Sequence, residues 1–443
     1  MLSICILNYH PLKKILLTAF ILLLVTKSHA QFLMDMVDTT TETGRGLLSI
    51  YKKYDHLRFT GYIQPQFQVA QEKGTKTFEG GDFAPNVSNR FMLRRSRVRI
   101  DYVHFDKTDA AGVQFVFQFD ANERSFTVRD VWGRIFDNRF QLFSFTTGMF
   151  ARPMGYEVNL SSSDRESPER GRMSQLLMKG ERDLGAMLSF DARKDKHALK
   201  YLKIDAGFFN GQGITAPGEF DNIKDFIGRV AMKTRKLNEN ISISAGGSIL
   251  YGGLENNTKY HYTTESKGGI KYAAVDSSES NIGKVSPRRY YGADLQLKFK
   301  NKVGFTELRG EFITGLQTGT NNSSETPTAL LTGTEGFHTR NFNGAYFYFL
   351  QNLFSIKHQL LVKYDWYDPN TKVKGNKLGM AGSNLTAANI KYNTLGIGYL
   401  FYLTPNVKTV FYYAMPVNEK TLLPGYTSDV NDNVFTARVQ FRF

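Results

Sequence analysis

The sequence predicts an all-β chain, a transmembrane antiparallel β-barrel of about 16 strands with long loops at one end and short turns at the other. Three observations carry this. Polar and apolar residues alternate with period two in segment after segment. The connections between these segments are by turns short and long. The chain then ends on an unbroken alternating strand closed by Phe443. Alternation of this kind puts each set on its own face of a strand, and here every polar set would need a wet interior.

Taken in order, the N-terminus comes first. Lys13 and Lys14 precede an apolar run from Ile15 to Val25, and Ser28-His29-Ala30 follows as a small-residue cleavage site. That is the pattern of a secretory signal peptide over 1–30, and the run is too short for a spanning helix, which needs roughly 20 residues. The single cysteine, Cys5, lies in this leader, so the rest of the chain has no disulfide, thiolate metal site or cysteine nucleophile. Residues 31–57 fall outside the alternating pattern and read as an N-terminal periplasmic segment, followed by a barrel over 58–443.

The barrel strands announce themselves by parity. Tyr62, Gln64, Gln66 and Gln68 oppose Ile63, Pro65, Phe67 and Val69. Phe115, Phe117 and Phe119 oppose Gln114, Gln118 and Asp120, and Leu295, Leu297 and Phe299 oppose Asp294, Gln296 and Lys298. In the last strand Phe435, Ala437, Val439, Phe441 and Phe443 share one parity, with Thr436, Arg438, Gln440 and Arg442 on the other. Short connections fall at Asp137, Arg193, Leu237, Lys300, Ser355 and Thr404. Long ones run over 71–89, 152–182, 211–225, 252–288, 317–343, 368–390 and 416–432. Aromatics make up 14% of the residues while mean hydropathy is −0.34, which suits strands that face water on one side. Trp132, Trp366 and tyrosines such as Tyr102, Tyr251, Tyr348, Tyr364, Tyr402 and Tyr412 are expected in the interfacial girdles.

One strand is unusual. NRFMLRRSRVRIDY, from Asn89 to Tyr102, sets Arg95, Arg97 and Arg99 on one parity and Val98 and Ile100 on the other. Facing three cations to lipid would cost about 2–4 kcal/mol each near the midplane, so this register points them into a basic lumen, with Met92, Val98 and Ile100 outside. Arg94 falls on the lipid parity and needs a bulge or an interfacial position. Arg129 and Arg134 have opposite parity, so both can join the lumen face only across a bulge.

GMFARPMGYEVNLSS from Gly148, ESPERGR from Glu166 and ERDLGAMLSF from Glu181 resemble the phosphate-selective porin O and P family of Gram-negative outer membranes. The landmarks are Gly148, the turn Pro153-Met154-Gly155-Tyr156-Glu157, the run Ser161-Ser162-Ser163, and Arg182-Asp183-Leu184-Gly185. The resemblance is dense from about Phe59 to Gly211 and pattern-level beyond. It implies a sixteen-stranded, usually trimeric outer-membrane channel for small anions, whose third long loop, here 152–182, folds inward as a constriction. The terminal strand also resembles the C-terminal signal of outer-membrane barrels, which implies the barrel-assembly machinery as a partner beside outer-membrane lipid.

Guanidinium forks match the paired oxygens of phosphate, and several shallow sites would let an ion leave as readily as it enters. The candidate anion-binding residues are therefore Arg95, Arg97, Arg99, Arg129 and Arg134. Loop lysines Lys73 and Lys76 are candidate funnels. Along the constriction loop, Arg152, Arg165, Arg170 and Arg172 are interleaved with Glu157 and Glu169, and acids match bases over Arg152 to Asp183, six against six. That balance keeps a general, weakly selective channel open beside phosphate selectivity, and oligosaccharide passage is a further small-solute reading. The mature histidines are scattered and sit in no hydrolase motif, so an enzyme is not expected; no cofactor or metal is expected, since Asp221 with Asp225 and Asp365 with Asp368 lack a run of oxygen ligands. A pI near 9.5 can mark nucleic-acid binding, but the export signal removes that reading. A last alternative is an adhesin or receptor using the polar segments LENNTKYHYTTESK and TNNSSETPT.

Overall fold

A computed structural model of the chain describes residues 56–105, 110–194 and 196–443. The expected signal peptide and residues 31–55 lie outside them. Among the described residues there are 18 strands, and the pairing closes 16 of them into an antiparallel ring.

The first half of the wall comprises β1 (Leu57–Ala70), β2 (Asn89–Phe105), β3 (Ala111–Ala121), β4 (Phe126–Phe136), β5 (Phe143–Ala151), β6 (Arg182–Asp191), β7 (Leu202–Phe209), β8 (Asp225–Lys236) and β9 (Ile241–Glu255). After a hairpin of β10 (His261–Lys267) and β11 (Ile270–Asp276), the wall continues as β12 (Val285–Asn301), β13 (Gly304–Gly319), β14 (Phe337–Asn352) and β15 (His358–Asp368). It ends with β16 (Tyr392–Thr404), β17 (Val407–Asn418) and β18 (Val434–Arg442). Each strand pairs with the next, β1 pairs with β18 from Tyr62↔Arg442 to Ala70↔Val434, and no edge is left for lipid to face.

The hairpin is outside the ring. β9 pairs directly with β12, from Val285↔Glu255 to Phe299↔Ile241, while β10 lies parallel to the start of β14. The sequence reading treated 252–288 as one loop; the wall strands reach further into it, and its middle is a second, separate ladder.

The alternation is borne out in burial. On β17, Val410, Tyr412 and Ala414 are buried while Phe411, Tyr413 and Val417 are exposed on the outer face. No described helix is long and apolar enough to cross a membrane.

The interior is not wet everywhere. Met154, Val158, Met173, Leu176, Leu177 and Met178, from the loop 152–181 and its short helix α1 (Arg172–Leu177), pack on Tyr290, Ile313, Phe342, Tyr346, Tyr348, Leu361 and Tyr412 of β12–β17. Each such buried side chain contributes about 1.5–3 kcal/mol. Tyr348 and Tyr412 were expected in the outer girdles and are instead turned inward under this loop, where apolar cover replaces water. Tyr402 packs part-buried against the same cluster. Trp366 and Tyr251 sit on the outer face, the former among Phe312, Phe347 and Tyr364.

Candidate functional site: the inward loop and the arginine face

The loop is held to the wall at its base, at its turn and by charged side chains further along. At its base Arg152 and Arg288 lie with Asp183 and Asp225, at 3.8 and 2.7 Å respectively, and both guanidinium groups donate to the Gly211 carbonyl. All four side chains are buried, so Asp225 is an ion-pair partner at the base of the loop.

At the turn, the Glu311 carboxylate on β13 accepts the N–H groups of Tyr156 and Glu157, each at 3.1 Å. Gly155 takes φ +69°, and a Cβ there would stand 1.9 Å from Glu311 Oε1. Only glycine fits, which is the physical content of the Pro153–Glu157 turn. Next along, the Glu157 carboxylate accepts from the Gly171 N–H, Ser174 and Tyr348. Burial pushes this carboxyl up, but Lys363, Arg165 and the two hydroxyl donors outweigh it and hold it below its usual range.

The third clasp is charged. Glu169 accepts from Arg94 at 2.8 Å, Arg95 at 2.7 Å and Arg438 at 3.0 Å. Despite burial, the three guanidinium groups hold its carboxyl well below the usual range. Arg94 and Arg95 are neighbours in sequence, and both reach the same carboxylate because the strand changes parity between them. Met92 accepts a hydrogen bond from Gln66, on the side of the strand that Arg90 and Arg94 share. Met92 is therefore inside and not on the lipid face; Phe91 and Val98 are the exposed outer residues.

The predicted arginines otherwise come together, but none of the first three is free. Arg97 pairs with Asp120 at 2.9 Å and donates to Ser162 of the loop; Arg99 pairs with Asp101 at 2.7 Å. Arg95 and Arg97 are buried, whereas the Arg99 side chain keeps 34% of its exposure. The bulge that Arg129 requires is present: Gln118 faces Asp130 while Phe119 faces Val128, leaving Arg129 as the extra residue. Arg129 bonds Glu181, which also accepts from Arg170 at 2.6 Å and lies 3.3 Å from Arg182. Burial pushes the Glu181 carboxyl up, yet these arginines bring it well below its usual range. Arg134 donates to Thr146 and lies over the Trp132 ring, with Arg99 on the same ring, so Trp132 is an inner residue and not part of a girdle.

The remaining loop residues divide. Arg170 also donates to the carbonyls of Glu157, Val158 and Leu160, tying the loop to itself. Arg165 meets only the carbonyls of Ser167 and Pro168. Arg172 lies between the rings of Phe78 and Tyr392, at 4.5 and 3.5 Å, beside a cavity of about 920 Å³ that Lys73 and Lys76 also line. Arg152 belongs to the base.

Four attachments lie outside the expected site residues: Arg438, Glu311, Lys408, which donates to the Ser163 and Arg165 carbonyls, and the Arg309–Glu166 pair at 2.7 Å. Arg438 was on the polar parity of the last strand and findable there; the others needed the loop's path.

A closed ring of 16 tilted strands with an inward loop is the fold of outer-membrane porins. No family profile matches the chain and no curated protein matches it in sequence. Among solved structures it is similar to OprB of Pseudomonas putida, with TM-score 0.55 and 9% identity over 92% of this chain and 98% of that one. It is also similar to the outer membrane channel DcaP of Acinetobacter baumannii, with TM-score 0.54 and 10% identity over 87% and 97%.

Proposed function

We propose that this chain is an outer-membrane diffusion channel, not an enzyme, that passes small hydrophilic solutes and prefers anions, phosphate among them. The reading follows the porin fold, the resemblance of the 148–185 region to phosphate-selective porins, and the description of DcaP as a channel. Its assembly as a homotrimer in outer-membrane lipid, export by a cleaved leader and insertion through the C-terminal strand belong to the same proposal.

One observation carries the anion preference. Where the loop meets β2–β7, Arg97, Arg99, Arg129, Arg134, Arg170 and Arg182 stand among Asp101, Asp120, Asp130, Glu181 and Asp205, so the arginines exceed the acids six to five while each acid is already engaged. An excess of fixed positive charge beside a narrow aqueous path raises the local anion concentration. The same pairing favours the second reading, a general and weakly selective channel, because engaged arginines hold a solute less tightly than free ones.

Planar-bilayer recording separates the two. We expect a reversal potential of anion-selective sign under a KCl gradient, and a shift toward zero when Arg99, whose side chain keeps 34% of its exposure, and Arg134, which donates to the Thr146 hydroxyl, are both changed to Gln. An unchanged potential in that double variant overturns the arginine account. Concentration-dependent block of chloride current by phosphate supports a phosphate site; its absence leaves the general channel.

A further inference from the structure

The two polar segments left over by a channel reading, LENNTKYHYTTESK and TNNSSETPT, meet in space. The parallel pairing of β10 with β14 sets Tyr262 opposite His338, and their rings stack at 4.3 Å with 5° between planes. Beside this stack lies a cavity of about 680 Å³, walled by the hairpin, the 320–336 loop and the 384–386 segment. Three amides, Asn321, Asn322 and Asn384, line it with Thr386.

The walls are pinned. Arg340 donates to the Thr320 carbonyl at 2.7 Å, the Thr386 hydroxyl bonds the Asn321 carbonyl, and the Ala273 N–H of the hairpin donates to Ser383 at 2.9 Å. Asn384 adopts φ +51°, a left-handed conformation that only one other described non-glycine residue shares. Such positions persist where the surroundings over-determine them, and they gather at ligand sites.

The chemistry of the lining is selective. It carries one carboxylate, Glu335, already accepting from Thr332, and neither lysine nor arginine, so its amides and hydroxyls favour a neutral ligand over a phosphate or carboxylate. Asparagine presents a donor and an acceptor together, the match for neighbouring hydroxyls on a ring, and aromatic rings accept the C–H faces between them. The volume lies in the range of small-ligand sites.

We propose that this cavity, built by the hairpin against the barrel rim at the long-loop end, binds a neutral oligosaccharide. The site is separate from the arginine face, and its occupancy is independent of which ions the barrel passes.

The test uses the full chain in detergent, with maltotriose, triacetylchitotriose and mannotriose as probes and inorganic phosphate as the charged control. Saturation-transfer NMR and calorimetry are expected to detect at least one trisaccharide and no phosphate bound at this site. Asn322→Ala combined with Asn384→Gly, which removes two amides and keeps the left-handed backbone, is expected to weaken that binding at least tenfold. Tyr262→Leu is expected to do the same, with heat-modifiable gel mobility and reversal potential unchanged in both. Failure of all three sugars to bind, or equal binding by both variants, overturns the proposal; loss of anion selectivity alone does not touch it.

Discussion

Glu79 illustrates how one buried group reports on the interior. It sits in the 71–88 loop, buried, with Oε2 lacking a hydrogen-bond partner. Burial raises its carboxyl to about 7 from an ordinary 4.5; Lys363 pulls it down, while Glu169 and Asp365 push it further up. Between 4.5 and 7 the folded chain therefore holds a proton that the unfolded chain has released, so stability falls as pH rises through that window and levels off above it. Glu169 and Glu181 run the opposite way: their depressed values stabilise the fold above the unfolded carboxylate range, and that contribution is lost only as pH falls below it. We expect Glu79→Gln to narrow the difference in thermal midpoint between pH 5 and pH 8, measured by circular dichroism. An unaltered difference would show that another group sets it.

At the scale of elements, parity was legible wherever one face is greasy and the other polar. It failed where both faces are apolar, as on β14, whose inner Phe342, Tyr346 and Tyr348 are covered by the loop while Phe347 and Phe349 lie outside. Nothing local to those strands could reveal what would cover them. At Arg94 and at Arg129 the parity signals the need for a bulge without showing that one is there, and the register shift at Gln118/Phe119 supplies the one at Arg129. The β10–β11 hairpin was hidden by its polar residues on both faces, Tyr262 to Lys267 among them. Since β9 and β12 pair without it, replacing 259–280 by a short turn is expected to leave barrel folding and conductance intact; loss of heat-modifiable mobility on a gel would contradict the pairing.

For the molecule as a whole, the barrel and its strand number were readable from the alternation and the rhythm of loops, whereas the inward path of the loop was implied by the family resemblance alone. What could not be read was that Asp164, Glu166, Glu169, Glu181 and Asp183 each meet an arginine, while Glu157 is held by hydroxyl and N–H donors. Glu169→Gln tests this most directly. Breaking a buried ion cluster from one side typically costs about 3–5 kcal/mol, and here three guanidinium groups would lose their only shared carboxylate. We expect a lower urea midpoint for unfolding from lipid together with a stronger anion preference in bilayers; a change in one without the other would separate the clasp from the field.

That coupling has a consequence for how such a protein can vary. The two oxygens of Glu169 both tether the loop to the wall and cancel charge beside it, through Arg94 and Arg95 of β2 and Arg438 of β18. Bore and polarity are then not separate dials. A descendant that drops this acid loses a tether and gains positive charge in one step, and restoring either trait alone needs a compensating change on a different strand.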